Sequence, residues 1–326
     1  MAVAGGPSDD PLAGIHPQVR SLLEAAGTAD TLPGPADIVA ARAAYLQSTL
    51  QFGGSAEPVA EVRAIVVPHG DIRLPAALYV PQHAPEADGL VVWLHGGGWY
   101  LGDIPTFDRV GRSLANASGM KVLLVEYRLA PEHAHPDPVQ DADAVVAWAR
   151  SKAAARQLAI DPARVVVGGD SAGGQLAAAA VHHARGDGLA PIAAQLLVYP
   201  ALDPAMDSES YRAFAEGPML TAADMQGCWE AYLRGAPAEG DDLRMLEHGD
   251  HAGVPPAWIA VAGHDPLRDD GLRYAAALRA AGVEVHENVF EDMVHGFLRF
   301  GGVVDRTGEL IRWLGDAART TTTAAS

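Results

Sequence analysis

Ser171 stands in the stretch GGDSAGG, behind the valine run RVVV and ahead of the alanine-rich segment QLAAAAVHHAR. Gly169, Asp170, Ser171, Ala172 and Gly173 make a G-x-S-x-G. On a strand–turn–helix this spacing holds a serine hydroxyl out on a sharp, strained turn, where only small residues two before and two after escape a clash. The competing reading is a plain helix cap, because Ser and Asp both accept from the free N–H groups of a first turn. Alone the motif is a weak signal. If Ser171 is a nucleophile for acyl transfer, it needs a base, a carboxylate to orient that base, and N–H donors for the oxyanion.

Candidates for each exist. LHGGGWY at 94–100 ends an apolar run with three successive glycines. Glycine leaves the backbone N–H uncovered and reaches angles closed to other residues. Such a loop matches the HGGG-type oxyanion loop, with Gly97 and Gly98 N–H as donors and Ala172 N–H joining them from the helix start. A phosphate-cradling loop is the alternative, but neither G-x-x-x-x-G-K-[ST] nor a helix-opening G-x-G-x-x-G is present. His95 reads as structural, its ring bonding neighbouring loop backbone.

Thirteen histidines compete for the role of base. In chain order a serine nucleophile of this kind is followed by Asp or Glu and then His. WIAVAGHDPLRDDG sets Asp265 just past a strand, whereas Asp269 and Asp270 suit the first turn of the next helix. His295, in VFEDMVHGF, is followed by Gly296, so its loop can swing the ring over the sheet edge. His286 lies within a strand, His264 points away from its neighbour Asp265, and His182 and His183 fall on a helix face. The triad expected is Ser171, Asp265 and His295.

The elements that must position them alternate. EVRAIVVP (61–68) and AALYVP (76–81) predict a hairpin, followed by strands at 89–95, 121–127, 164–169, 193–200, 257–263 and 283–290. Helical patterns at 107–117, 139–157, 171–184, 268–281 and 303–318 fall between them or follow, and two more, 17–26 and 35–51 with Pro35 in its first turn, precede them. Runs of β-branched residues alternating with helices predict an α/β fold with a mostly parallel sheet. About 55 residues separate the strands ending at 200 and starting at 257, too long for an ordinary connection. The reading is a catalytic core over 51–202 and 251–326, a cap insertion over 203–250, and N-terminal helices within 1–50 contributing to the cap. The first ~15 residues and the tail TTTAAS are expected to be disordered.

Composition excludes other classes. A net charge of −18 over 326 residues repels phosphate backbones and anionic bilayers, so neither nucleic acid nor membrane is an expected partner. The single cysteine, Cys228, suits a reducing compartment. The first residues, MAVAGGPSDDPLAG, have neither the basic nor the apolar region of a secretory signal, and the apolar runs are too short to span a bilayer. The expectation is a cytoplasmic protein. EGDDLRMLEHGDH shows no ligand spacing for a metal and reads as a solvated acidic loop.

Together HGGGW, VEYRLAPEHAHPDPVQD, GDSAGG, GHDPLRDDG and HGF, in that order from about 60 to 300, resemble the hormone-sensitive-lipase-type (family IV) bacterial carboxylesterases of the α/β-hydrolase fold, in their GDSAG branch. The resemblance implies an eight-stranded sheet flanked by helices, a helical cap, and hydrolysis of short- to medium-chain acyl esters through an acyl-enzyme, with no metal or other cofactor. It also implies homodimers, and loop-fixing roles for Arg128, Glu132 and Asp141. Trp99, Met219, Met225, Cys228 and Trp229 are candidate pocket residues, or else ordinary core of a cap helix. The chain departs from the pattern at Asp292, where glycine is usual, and before the strand at 257, where Ser-Pro-Leu is usual. Rival readings are an amidase or acyltransferase with the same triad, and a non-catalytic ligand-binding member of the fold.

Overall fold

The computed structural model describes residues 12–26, 37–84 and 87–323. Helices α1 (Pro17–Ala26) and α2 (Ile38–Phe52) precede a hairpin of β1 (Glu61–His69) and β2 (Ile72–Val80). Its register runs from Glu61 opposite Val80 to His69 opposite Ile72, so the turn is the pair Gly70–Asp71, tighter than the predicted HGDIRLP. Then come β3 (Leu90–Leu94), α3 (Ile104–Ser118), β4 (Lys121–Val125), α4 (Asp137–Ala149), α5 (Lys152–Leu158), β5 (Val165–Asp170), α6 (Ala172–His183) and β6 (Ala194–Val198). Short α7 (Glu209–Ala213), α8 (Ala222–Leu233) and α9 (Met245–His248) fill the long interval before β7 (Ala257–His264), α10 (Arg268–Ala280), β8 (Val285–Val294) and α11 (Asp305–Thr323).

The eight strands form one sheet in the order β1-β2-β4-β3-β5-β6-β7-β8. β1–β2 and β2–β4 pair antiparallel, and every pair from β4 through β8 is parallel. Every residue of β3, β4, β5 and β6 is buried, as continuous apolar runs covered on both faces require. The edge strand β1 instead alternates buried and exposed positions in its second half. Parallel pairing sends the carboxyl ends of β3, β5, β7 and β8 to one edge, so His95, Ser171, Asp265 and His295 all emerge there. None of the described helices is long and apolar enough to cross a membrane.

Three expectations are corrected. The helix predicted over 139–157 is two, because Ser151 is extended and its hydroxyl caps α5 by accepting from Ala154 N–H. α11 continues into the tail predicted to be disordered, as far as Thr323. β-branched threonines are poor helix formers, but Thr320 and Thr321 hydroxyls donate back to the carbonyls of Asp316 and Ala317. Finally, Ile15 is buried and His16 N–H donates to Asp292 C=O, so ordered chain begins inside the first 15 residues, of which 1–11 lie outside the described set, as does Pro35.

Candidate active site

Ser171 has φ +55 and ψ −121, a conformation an L residue keeps only where surrounding structure enforces it. Its N–H donates to Val198 C=O and its C=O accepts from Gln175 and Ala201 N–H, which stitches the turn to β6 and α6. Space is as tight as the motif implies. A methyl group at Gly173 would collide with the carbonyl oxygens of Leu94 and His95, and one at Gly169 with the carbonyl of Gly173. The helix start thus presses on β3, the strand that carries the glycine loop.

The predicted base and acid meet the serine. His295 Nε2 lies 3.0 Å from Ser171 Oγ, and His295 Nδ1 lies 2.7 Å from Asp265 Oδ2. Asp265 is fully buried, and its other oxygen accepts the N–H of Leu267 at 2.9 Å. Ser171 and His295 retain 7% and 6% exposure. The His295 ring rests against Tyr199, with centroids 4.5 Å apart.

The glycine loop folds on itself: Gly97 C=O accepts from Tyr100 and Leu101 N–H. Gly97 (φ +122) and Gly98 (φ +59) use angles that favour glycine, and a methyl on Gly98 would lie 2.6 Å from Cys228 Sγ. Among the described residues the N–H groups of Gly97, Gly98 and Ala172 bond no acceptor. His95 is structural as expected: its Nδ1 pairs with Gly96 C=O at 2.9 Å between the rings of Tyr127 and Phe107. Burial lowers its pKa to about 4, so it stays neutral.

Asp170, unassigned by motif reasoning, ties the two loops. Its Oδ1 accepts Gly96 N–H at 3.1 Å and Trp93 Nε1–H at 3.2 Å. The only signal in the sequence was its place beside Ser171; the pairing of β3 with β5 supplies the partner. Burial pushes its pKa up to about 6, against the opposing pull of those two donors. The folded state therefore holds a proton that the unfolded chain has released, and stability falls as pH rises from about 4 to 6, by about 3 kcal/mol. Asp170→Asn keeps an acceptor for Gly96 without that charge. Its melting temperature should gain on the native protein by several degrees across this window and hold a constant offset above pH 7. A difference independent of pH between 4.5 and 7.5 would contradict the assignment.

The candidate pocket residues sit mostly behind the loop. Met225, Cys228 and Trp229, with Tyr232, form one buried stripe of α8. Trp99 is fully buried, 4.3 Å from Trp229 and stacked flat on Tyr232 at 4.5 Å. Trp99 and Cys228 are sealed from solvent and Met225 and Trp229 nearly so, which makes these four a packed wall supporting the loop. The sequence leaves lining and core both open for them, and their burial is that of core. Met219, at φ +70, is partly exposed.

Other expectations are resolved in the same region. Arg128 grips Asp141 through both oxygens and also pairs with Asp137, while Glu132 pairs with Arg42 of α2. Arg42 also donates to the carbonyls of Tyr100 and Ala130, so α2 is pinned across the glycine loop. His286 stacks on Trp258 and His264 faces Phe214, both away from Ser171. The predicted solvated acidic loop is not uniformly so, because Asp242 is buried against His135 at 2.8 Å. Asp270, predicted only as a first-turn acid, is wholly buried and accepts the N–H groups of Leu202 and Asp203. Asp292 pairs with Arg306. No group of three or more His, Cys, Asp or Glu among the described residues is placed to hold a metal ion.

Comparison with known proteins agrees with this architecture. The family profile described as alpha/beta hydrolase fold matches residues 91–299. The carboxylic ester hydrolase LipN of Mycobacterium tuberculosis is 39% identical over 286 residues, covering 84% of this chain and 75% of LipN. The carboxylesterase NlhH of the same organism is 38% identical over 242 residues, covering 72% of this chain and 75% of NlhH. The solved structure of a Pyrobaculum calidifontis esterase superposes with a TM-score of 0.85 at 30% identity, covering 96% of this chain and all of that one. With the sheet order, the serine turn and these similarities together, the chain belongs to the alpha/beta hydrolase fold family, in its hormone-sensitive-lipase-type group.

Proposed function

We propose that Ser171, His295 and Asp265 are the nucleophile, base and orienting acid of this chain, a carboxylic ester hydrolase. The observation that carries the assignment is the continuous line from Ser171 Oγ through His295 to Asp265, with bonds of 3.0 and 2.7 Å. Ser171 Oγ attacks the ester carbonyl carbon while His295 Nε2 takes its proton. The N–H groups of Gly97, Gly98 and Ala172 receive the oxyanion, with the first turn of α6 adding its positive end. Collapse of the tetrahedral intermediate breaks the C–O bond, and His295 returns the proton to the departing alcohol. Water then attacks the acyl-enzyme with His295 again as base, releasing the acid and restoring Ser171. Asp265 keeps its charge throughout and stabilises the imidazolium.

The substrate class we assign is short- to medium-chain acyl esters. Its support is the similarity to the carboxylic ester hydrolase LipN and the carboxylesterase NlhH. Turnover of p-nitrophenyl esters should peak between acetate and octanoate and fall for palmitate, with the matching p-nitroanilide cleaved far more slowly. Equal anilide turnover, or acyl transfer to added alcohol outrunning hydrolysis, would instead favour the amidase or acyltransferase reading.

Within the same reading, residues 203–250 and the helices within 1–50 form a cap over a core of 51–202 and 251–326. The packing of α8 on the glycine loop and the Arg42 bonds from α2 support this. We place the chain in the GDSAG branch of its family and in the cytoplasm, where the buried free thiol of Cys228 is at home. A homodimer is the proposed assembly, for which β8, at the edge of the sheet with no further described strand beside it, supplies a surface.

A further inference from the structure

Trp99 follows the two glycines of the oxyanion loop and holds φ +63, so its neighbours must fix it. They form a closed ring of five residues from five separate segments. Trp99 Nε1–H donates to Gln175 Oε1 at 3.1 Å, and Gln175 Nε2 donates to Asp242 C=O at 3.0 Å. Asp242 Oδ2 pairs with His135 Nε2 at 2.8 Å. His135 N–H donates to Tyr232 C=O at 2.8 Å, and its ring meets the edge of Tyr232, centroids 5.5 Å apart. Tyr232 closes the ring by lying flat on Trp99, 6° from parallel.

Gln175 is the hub. It lies one turn beyond Ser171 on α6, is completely buried, and uses both ends of its amide. The amide can face only one way, since the indole offers a donor and Asp242 a carbonyl. We propose that Gln175 is a positioning residue for the reaction: it fixes the Trp99 indole, through it the Gly97 and Gly98 N–H groups, and couples both to the Asp242 turn of the cap. The inference rests on the reading of those two N–H groups as oxyanion donors. Without Gln175 the indole N–H has no partner in a place water does not reach, and such a group moves to find one. A shift of Trp99 is carried by the backbone into Gly98. The cost falls on kcat, because the donors are aimed at the oxyanion and not at the ground-state carbonyl.

The test is a double-mutant cycle of Gln175→Leu and Trp99→Phe. It measures kcat and KM for p-nitrophenyl acetate and Ki for a trifluoromethyl ketone, whose hemiketal places an oxyanion in the hole. Gln175→Leu should lower kcat by about tenfold, leave KM within about twofold and weaken the ketone about as much as kcat. In the Trp99→Phe background the same change should cost less than about twofold, because the N–H through which Gln175 acts is gone. Unchanged kcat, a change in KM alone, or an equal kcat loss in both backgrounds would overturn the inference. If Gln175→Leu does not fold, Gln175→Met, unbranched and of similar length, runs the same cycle. Ser171→Ala separates the underlying reading: it should lose the ketone whatever Gln175 does, and tight ketone binding to Ser171→Ala would overturn that reading and the inference with it.

Discussion

Ser171→Ala should lower kcat for ester hydrolysis by about 10⁵-fold or more while the protein folds and melts as before. The size follows from the chemistry: without Oγ there is no covalent intermediate, and water must attack directly with only the oxyanion donors and binding to help. The harmlessness to the fold follows from the structure. Among the described residues the Ser171 side chain bonds His295 alone, and the strained turn is held by backbone bonds to Val198, Gln175 and Ala201, all of which alanine keeps. Steady-state turnover beside a thermal melt checks both halves. A variant retaining a tenth of native turnover would remove Ser171 from the mechanism.

The second large effect belongs to Asp265. Its two oxygens have different duties: Oδ1 accepts Leu267 N–H and Oδ2 accepts from His295 Nδ1. In Asp265→Asn the amide oxygen must stay with Leu267, since an NH₂ group there would face another donor. The NH₂ group therefore points at His295 and turns Nδ1 into an acceptor. The imidazole proton moves to Nε2, where it faces Ser171 and blocks proton abstraction. The expected loss is about 10⁴-fold in kcat, caused by the wrong tautomer in an otherwise intact site. Turnover of the variant, measured with circular dichroism and melting temperature as controls, reads this out. A loss of less than about tenfold would show that His295 is oriented by something else.

What sequence reasoning caught and what it missed differ by how far the information travels. The inner strands β3 to β6 are visible as apolar runs because they are buried on both faces. The serine turn, the glycine triplet and the Asp265 and His295 loops each sit at a strand end with local signatures. Parallel order then brings them to one edge without further information. Asp170 is different: its partner, Gly96, is 74 residues away, and only the adjacency of β3 and β5 joins them. The same holds for Gln175, whose two bonds reach 76 residues back and 67 forward. Asp242 looked like a solvated acid because its surroundings in sequence are acidic, and it is buried because His135, 107 residues earlier, faces it. Trp99 and Cys228, open in sequence between pocket lining and core, are buried for a related reason. The apolar residues of α8 pack inward, and here inward means against the glycine loop. Element ends were misjudged where side chains rewrite the backbone, as Ser151 does by capping α5 and the tail threonines do by bonding back into α11.

The central claim is that catalysis passes through a covalent bond to Ser171 Oγ. A p-nitrophenyl alkylphosphonate tests it most directly, because attack by the serine releases p-nitrophenolate and leaves a stable phosphonyl ester that mimics the tetrahedral intermediate. Intact mass and peptide mapping should find one adduct per chain on the peptide carrying Ser171, activity lost in proportion to labelling, and no adduct in Ser171→Ala. An adduct on any other residue, or fully labelled protein that still hydrolyses esters, would contradict the account.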